Sequence, residues 1–222
     1  MQTITAHLSC RCGACRIGLV DSRPRARSEC YCHDCRQRGL IAAGRDSANA
    51  LPPAVRNFER GIDLYYFGNA LVVDVEARAL LEFSKLRADA NNTTAMAACC
   101  GTLMCGAHPA YLGRSISVNA DSCRLQGVPP LANQVVLFGC DVPTAAWQAR
   151  RARADAAMIY SVAAEAGAPA MVALLTALTT PVDAALLQAP GVTTFEALAA
   201  SAGVRLNNSC FDESRAMGDS MA

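Results

Sequence analysis

The chain has 222 residues and a hydrophobic share of 52%, enough for one large domain, or one domain with an extension, around a real core. Twenty basic and nineteen acidic side chains leave a formal charge of +1. That balance gives no surplus for gripping nucleic acid or an anionic membrane, so neither is expected as a partner.

Residues 1–21 read as a strand, a cysteine knuckle and a second strand. The opening M-Q-T-I-T-A-H-L has neither a basic n-region nor an apolar h-region, so no export signal is expected and the compartment assigned is the cytoplasm. Thiols stay reduced there, and twelve cysteines then point to zinc rather than to disulfides. The first knuckle is S-C-R-C-G-A-C-R, with Cys10, Cys12 and Cys15. Gly13 lets its backbone turn so that amides can face sulfur. A basic loop with Arg23, Arg25 and Arg27 follows and reads as solvated. The second knuckle, E-C-Y-C-H-D-C-R, holds Cys30, Cys32 and Cys35. His33 within it reads as a solvated loop residue. Arg36 reads either as a surface arginine or as a group that lowers a thiolate pKa or holds a substrate carboxylate.

Residues 49–75 read as β structure, because L-P-P breaks a helix. V-R-N-F-E-R-G-I-D-L-Y-Y-F looks like a hairpin with Gly61 near its turn, and L-V-V-D-V-E like a further strand. A-R-A-L-L-E-F-S-K-L-R suits a short helix or a strand, and Asn91 and Asn92 mark a loop. A third cysteine cluster, A-A-C-C-G-T-L-M-C-G, holds Cys99, Cys100 and Cys105. Cys105 follows an apolar pair and reads as core. S-I-S-V and Q-V-V-L-F-G are strand candidates. From Pro143 the chain turns alanine-rich. One long helix is expected over 144–166, capped by Thr144 and Gly167, with Trp147, Met158, Ile159 and Val162 on a packing or dimer face. Further helices are expected near 169–179, 182–189 and 194–202. The most apolar run, Ala168 to Leu187, contains Pro169, Pro181 and Asp183. A membrane span needs about 20 nearly unbroken apolar residues, so a buried helical pair is expected instead. The division expected is a zinc domain over 1–142, a helical extension over 143–206 and a polar tail over 207–222. Cys123, Cys140 and Cys210 read as small hydrophobes, and His7 and His108 as structural or exposed.

A tetrahedral zinc site needs four ligands, and cysteines two or three residues apart can place two sulfurs on one ion. One C-x-C-x-x-C does not complete a tetrahedron. It takes a distant ligand or leaves a position open, and an open position marks a catalytic or substrate-binding metal. Cys15 is either a spare ligand or a buried thiol.

The three cysteine groups together resemble the glutathione-dependent formaldehyde-activating enzyme superfamily, which includes centromere protein V. The resemblance rests on C-x-C-G at Cys10 and Cys12, C-x-C-x-x-C at Cys30, Cys32 and Cys35, and C-G-T at Cys100. The segment F-E-R-G-I-D-L-Y-Y-F is similar to that family's hairpin, and A-A-C-C-G-T to an uncharacterised bacterial branch. It covers roughly residues 7–120; the C-terminal helices match nothing in it. The resemblance implies a mainly β fold, a zinc-pinned β-tent of small antiparallel sheets, here followed by an α-helical C-terminal extension. It implies a structural zinc on Cys10, Cys12 and Cys100. The family's remaining ligand falls at Ala97, and Cys99 is its natural replacement. It also implies a second zinc, open to substrate, on Cys30, Cys32 and Cys35, beside a site for glutathione or another small thiol.

The function expected from the resemblance is carbon–sulfur lyase chemistry on a thiol–aldehyde adduct, with Cys30, Cys32 and Cys35 as the catalytic group. Two other readings stay open. One is a structural-zinc domain that binds a protein partner, with a homodimer through the helical extension. The other is a thiol redox or metal sensor.

Overall fold

The computed structural model describes residues 6–207. In chain order its strands and helices are β1 (Ala6–Ser9), β2 (Arg16–Leu19), β3 (Ala26–Cys30), α1 (His33–Arg45), α2 (Pro53–Arg56), β4 (Ile62–Gly68), β5 (Leu71–Val72), α3 (Val75–Ala79), β6 (Leu81–Lys85), β7 (Thr93–Ala97) and β8 (Thr102–Ala107). There follow β9 (Ser115–Asn119), β10 (Arg124–Gln126), β11 (Val135–Leu137), α4 (Thr144–Arg151), β12 (Ala157–Ile159), α5 (Pro169–Thr179), α6 (Ala184–Leu187), β13 (Val192–Thr193), α7 (Phe195–Ala202) and β14 (Val204–Leu206). Five strands form one sheet in the order β10-β1-β2-β5-β13. Nine form the other, in the order β12-β11-β3-β4-β9-β8-β7-β6-β14. Helix (31%) and strand (28%) have nearly equal shares, so the chain is sheet-rich but mixed rather than mainly β.

The large sheet is covered on both faces, and its central strand shows why. In β4, Phe67 joins a core with Leu8, Ile17, Met104 and α7's Phe195, while Leu64 and Tyr66 join another with Leu137 and α5's Leu174. Successive side chains of a strand point to opposite faces, so one apolar strand feeds both cores. The consequence for the cysteines is direct. Cys10 and Cys100 belong to the first core and Cys30, Cys32 and Cys35 to the second. The two knuckles, similar in sequence, therefore serve opposite faces of one sheet.

Several local expectations change. The helix expected over 144–166 stops at Arg151. Arg150 is buried there, and its guanidinium reaches Glu29 at 2.7 Å and Asp155 at 2.8 Å. Those ion pairs hold the chain beside β11, and Ala157–Ile159 pairs with it in parallel register. Thr144 is the first helical residue, and Pro143 occupies the cap position. The stretch expected to be a helical extension also supplies β13, paired with β5, and β14, paired with β6. Helices α5, α6 and α7 lie where helices were expected. The expected hairpin before Tyr65 is instead α2, with Pro53 in its first turn, followed by β4. The segment that suited helix or strand is both, α3 then β6. Of the arginines expected in a solvated loop, only Arg23 is exposed. Arg25 donates to the Arg114 and Thr180 carbonyls, and Arg27 forms a two-pronged pair with Asp63 at 2.8 and 2.9 Å. Among the described residues no helix is long and apolar enough to cross a membrane. The tail beyond Asn207, including Cys210, lies outside the described residues.

Candidate metal centres and a thiol-lined cavity

Every described cysteine is a free thiol, and seven of them gather in two groups. The first is Cys10, Cys12, Cys99 and Cys100, whose sulfurs all lie within 4.8 Å of one another. Cys10 directly follows β1, and Cys99 and Cys100 sit in the turn between β7 and β8. The sulfur separations are 3.4 Å for Cys10–Cys12, 3.7 Å for Cys10–Cys99, 3.4 Å for Cys12–Cys99 and 3.9 Å for Cys99–Cys100. Four thiolates about 2.3 Å from one ion sit about 3.8 Å apart at the corners of a tetrahedron. The observed separations bracket that value, so the group fits a closed four-sulfur metal site.

Hydrogen bonds and two glycine turns fix the positions of these sulfurs. The knuckle closes with a hydrogen bond from the Cys10 amide to the Cys15 carbonyl at 2.9 Å, and Gly13 takes a φ of 84° to make the turn. The Cys15 amide then donates to Cys10 Sγ at 3.2 Å. On the other side, Gly101 has a φ of 66°, and a Cβ there would come 2.9 Å from that of Arg45. Both conditions select glycine in C-G-T. The threonine hydroxyl lies 3.1 Å from Cys100 Sγ, and it accepts from the Arg11 amide at 3.1 Å. Buried Asn49 donates to the Cys100 carbonyl at 2.7 Å. Burial raises the Cys100 thiol, but the Thr102 hydroxyl and nearby amides outweigh it and bring it down to about 6. Cys15 lies outside the four-sulfur group. It is wholly buried, its thiol pushed up to about 12 by burial first and the neighbouring thiols second.

The second group is Cys30, Cys32 and Cys35, with Cys30 and Cys35 sulfurs 3.8 Å apart. Cys30 ends β3. Cys32 is the N-cap of α1, and its sulfur accepts the Cys35 amide at 3.3 Å. Asp34 in the first turn and Arg45 in the last complement the helix dipole. A thiolate at this end gains from the same dipole. Hydrogen bonds from the Cys30 and Cys32 thiols hold Cys35 well below its ordinary value. His33, expected in a loop, is the first helical residue, and its amide donates to Asp141 at 2.9 Å. Arg36 is engaged by α2 and the residues after it. Its guanidinium stacks 3.8 Å over the Phe58 ring and donates to the Val55 carbonyl at 2.7 Å.

No protein side chain among the described residues joins the three sulfurs as a fourth ligand. Instead they form part of the wall of a cavity of about 670 Å³. Such a volume suits a small-molecule ligand. Its apolar side comes from Leu137 and α5's Met171, Leu174 and Leu178. Its polar side includes Arg38, Tyr66, His108, Tyr111 and Asn119. Burial first, then the thiols of Cys35 and Cys30, pushes Tyr111 well above the usual phenol range. His108, expected to be structural or exposed, is half-buried in this wall. Its Nδ1 accepts the Ala110 amide at 3.0 Å, which puts the proton of the neutral ring on Nε2. Burial, then Arg38, pushes its pKa down. Cys105 and Cys123 are buried, whereas Cys140, expected to behave as a small hydrophobe, is exposed beside Asp141.

No protein-family model, curated protein or solved structure matches this chain. The reading of the two sulfur groups therefore stands on their chemistry and geometry.

Proposed function

We propose that the protein is a zinc-dependent carbon–sulfur lyase that handles adducts of a small thiol with an aldehyde, of the kind formed by glutathione and formaldehyde. Zinc on Cys10, Cys12, Cys99 and Cys100 is structural, tying β1 to the β7–β8 turn and so one sheet to the other in the manner of a β-tent. The observation that carries the reading is the second group: three convergent sulfurs, without a fourth protein ligand among the described residues, in the wall of a cavity of about 670 Å³. Zinc held by Cys30, Cys32 and Cys35 supplies a Lewis acid with a position open to a substrate sulfur.

The chain's own groups do the rest. The leucines and Met171 of the apolar side exclude water, which would otherwise compete for the aldehyde carbon. His108 Nε2–H is a hydrogen-bond donor suited to the adduct's oxygen, as is the hydroxyl of Tyr111. In the cleavage direction the adduct's hydroxyl loses its proton and its oxygen forms the carbonyl. The carbon–sulfur bond breaks with its electron pair on sulfur, and the proton returns to the released thiol. No net oxidation occurs. The test is exchange spectroscopy by NMR on glutathione, formaldehyde and their adduct, with zinc-loaded protein. Acceleration of exchange by at least about 100-fold over buffer is expected, typical of positioned acid–base groups; exchange at the buffer rate would sink the proposal.

One observation favours a redox-sensor reading instead. Cys12 and Cys99 are exposed, so the four-sulfur group is open to oxidants. That reading requires zinc loss on mild peroxide treatment, recovered on reduction, in a protein that does not accelerate exchange.

A further inference from the structure

Arg38 is a buried charged group whose guanidinium keeps an unfilled donor. It is 7% exposed, in the second turn of α1, in the wall of the cavity. No hydrogen bond from its guanidinium is formed within the described residues, and Nη2 is a buried donor without a partner. Its nearest carboxylate, Asp34, is 3.8 Å away, too far for a hydrogen bond. Asp34 is moreover committed to Arg87 at 2.8 Å. A buried guanidinium that makes no hydrogen bond is costly, and a ligand that pairs with the part of it lining the cavity offsets that cost.

Position adds to this. Arg38 lies three residues after Cys35, and side chains so spaced share one helix face. Asp34, Cys35 and Arg38 all contribute to the cavity wall. A sulfur site and a planar cation that makes no hydrogen bond within the described residues therefore line one cavity. A guanidinium matches a carboxylate through two parallel N–H···O bonds.

We propose that Arg38 is the anion anchor of the cavity, so that the thiol taken up carries a carboxylate within a few bonds' reach of its sulfur. The thiol half of this inference rests on the function proposed above; the anion half does not. A second role is open to an arginine here, namely offsetting the charge of the neighbouring thiolates. That role predicts weaker metal retention on substitution but no change in ligand preference.

Calorimetric titration of zinc-loaded protein separates these. The probes are 3-mercaptopropionate, which has both groups, propanethiol, which lacks the carboxylate, and propionate, which lacks the thiol. Wild-type protein is expected to bind 3-mercaptopropionate at least about tenfold more tightly than propanethiol, as a charge-assisted pair would give. R38Q is expected to bind the two thiols about equally, and R38K, which keeps the charge but loses the fork, to fall between. Bound zinc, measured alongside, should stay the same in all three. Absence of a preference in the wild type, or a preference that survives in R38Q, overturns the proposal, whether or not zinc is lost. Should R38Q fail to fold, R38K reads the same preference, and an R38K indistinguishable from wild type counts against it. If propionate binds in an Arg38-dependent way while neither thiol gains from its sulfur, the anion anchor stands and the thiol reading falls. If both thiols bind alike regardless of Arg38, the reverse holds.

Discussion

Replacing Cys30 with serine is expected to halve the zinc content, from about two ions per chain to about one, and to return adduct exchange to the buffer rate. The substitution is nearly isosteric, and the strand carrying it keeps its pairing with β4, where Cys30 faces Ile62. The fold is therefore expected to persist, with a circular dichroism spectrum like that of the wild type. Two remaining thiols do not hold zinc tightly in an open site, because each lost ligand removes both charge and chelation. Cys35→Ser should behave alike. Cys140→Ser is the control, since Cys140 is exposed and outside both sulfur groups; it should change neither zinc content nor rate. Metal analysis and NMR exchange on the same samples check all three. A Cys30→Ser protein that retains both ions and full activity would remove the second centre from the account.

Replacing Cys12 with serine is expected to do something different, namely to destabilise the whole chain. Cys12 is exposed, so its side chain adds little to packing. By area alone the substitution would be almost neutral. Yet Cys12 shares its sulfur group with Cys99 and Cys100, which lie in the β7–β8 turn of the large sheet, while Cys12 itself follows β1 of the small one. On the proposed reading, losing the ion would remove one tie between the two sheets. A structural zinc contributes on the order of 10 kcal/mol to the folding of small domains that depend on it. Here an extensive apolar core shares the task, so a loss of about 4 kcal/mol is expected. For a chain of this length that lowers Tm by roughly 8–16 °C. Scanning calorimetry should find the same drop when the wild type is treated with a strong chelator, and little further drop when chelator is added to Cys12→Ser. A Cys12→Ser protein as stable as the wild type would mean that this group holds no structural ion.

The cysteine groups were legible because a knuckle is local. Two sulfurs within three residues must share a neighbourhood, and C-G-T carried its own backbone signal in Gly101. The pairing of Cys10 and Cys12 with Cys99 and Cys100 was reachable through resemblance, since nothing in the spacing alone says which distant cysteines meet. Strands such as β9 and helices such as α5 were readable from alternation and from flanking prolines. The helix misread over 144–166 shows the opposite case. Its alanine-rich stretch has helical propensity throughout, but a parallel partner in β11 and the Arg150 ion pairs override propensity after Arg151. Arg38 was missed because α1 starts inside the cysteine motif. A cysteine that caps a helix hides its start, since the usual capping residues are absent. Once α1 is seen, its turn spacing places Arg38 one turn beyond Cys35. His108 was read as structural or exposed, and it does cap the turn at Pro109–Tyr111; its place in the cavity wall was not legible because α5 lines that cavity from far along the chain.

The central claim is that one sulfur site is closed and the other open to a substrate thiol. X-ray absorption at the zinc edge on fully loaded protein tests it most directly. The account predicts an average of about 3.5 sulfurs per zinc, from four at one site and three at the other, rising to about 4 when a thiol is added. An average of about 4 before addition, unchanged after it, would show both sites closed by the protein and would contradict the account.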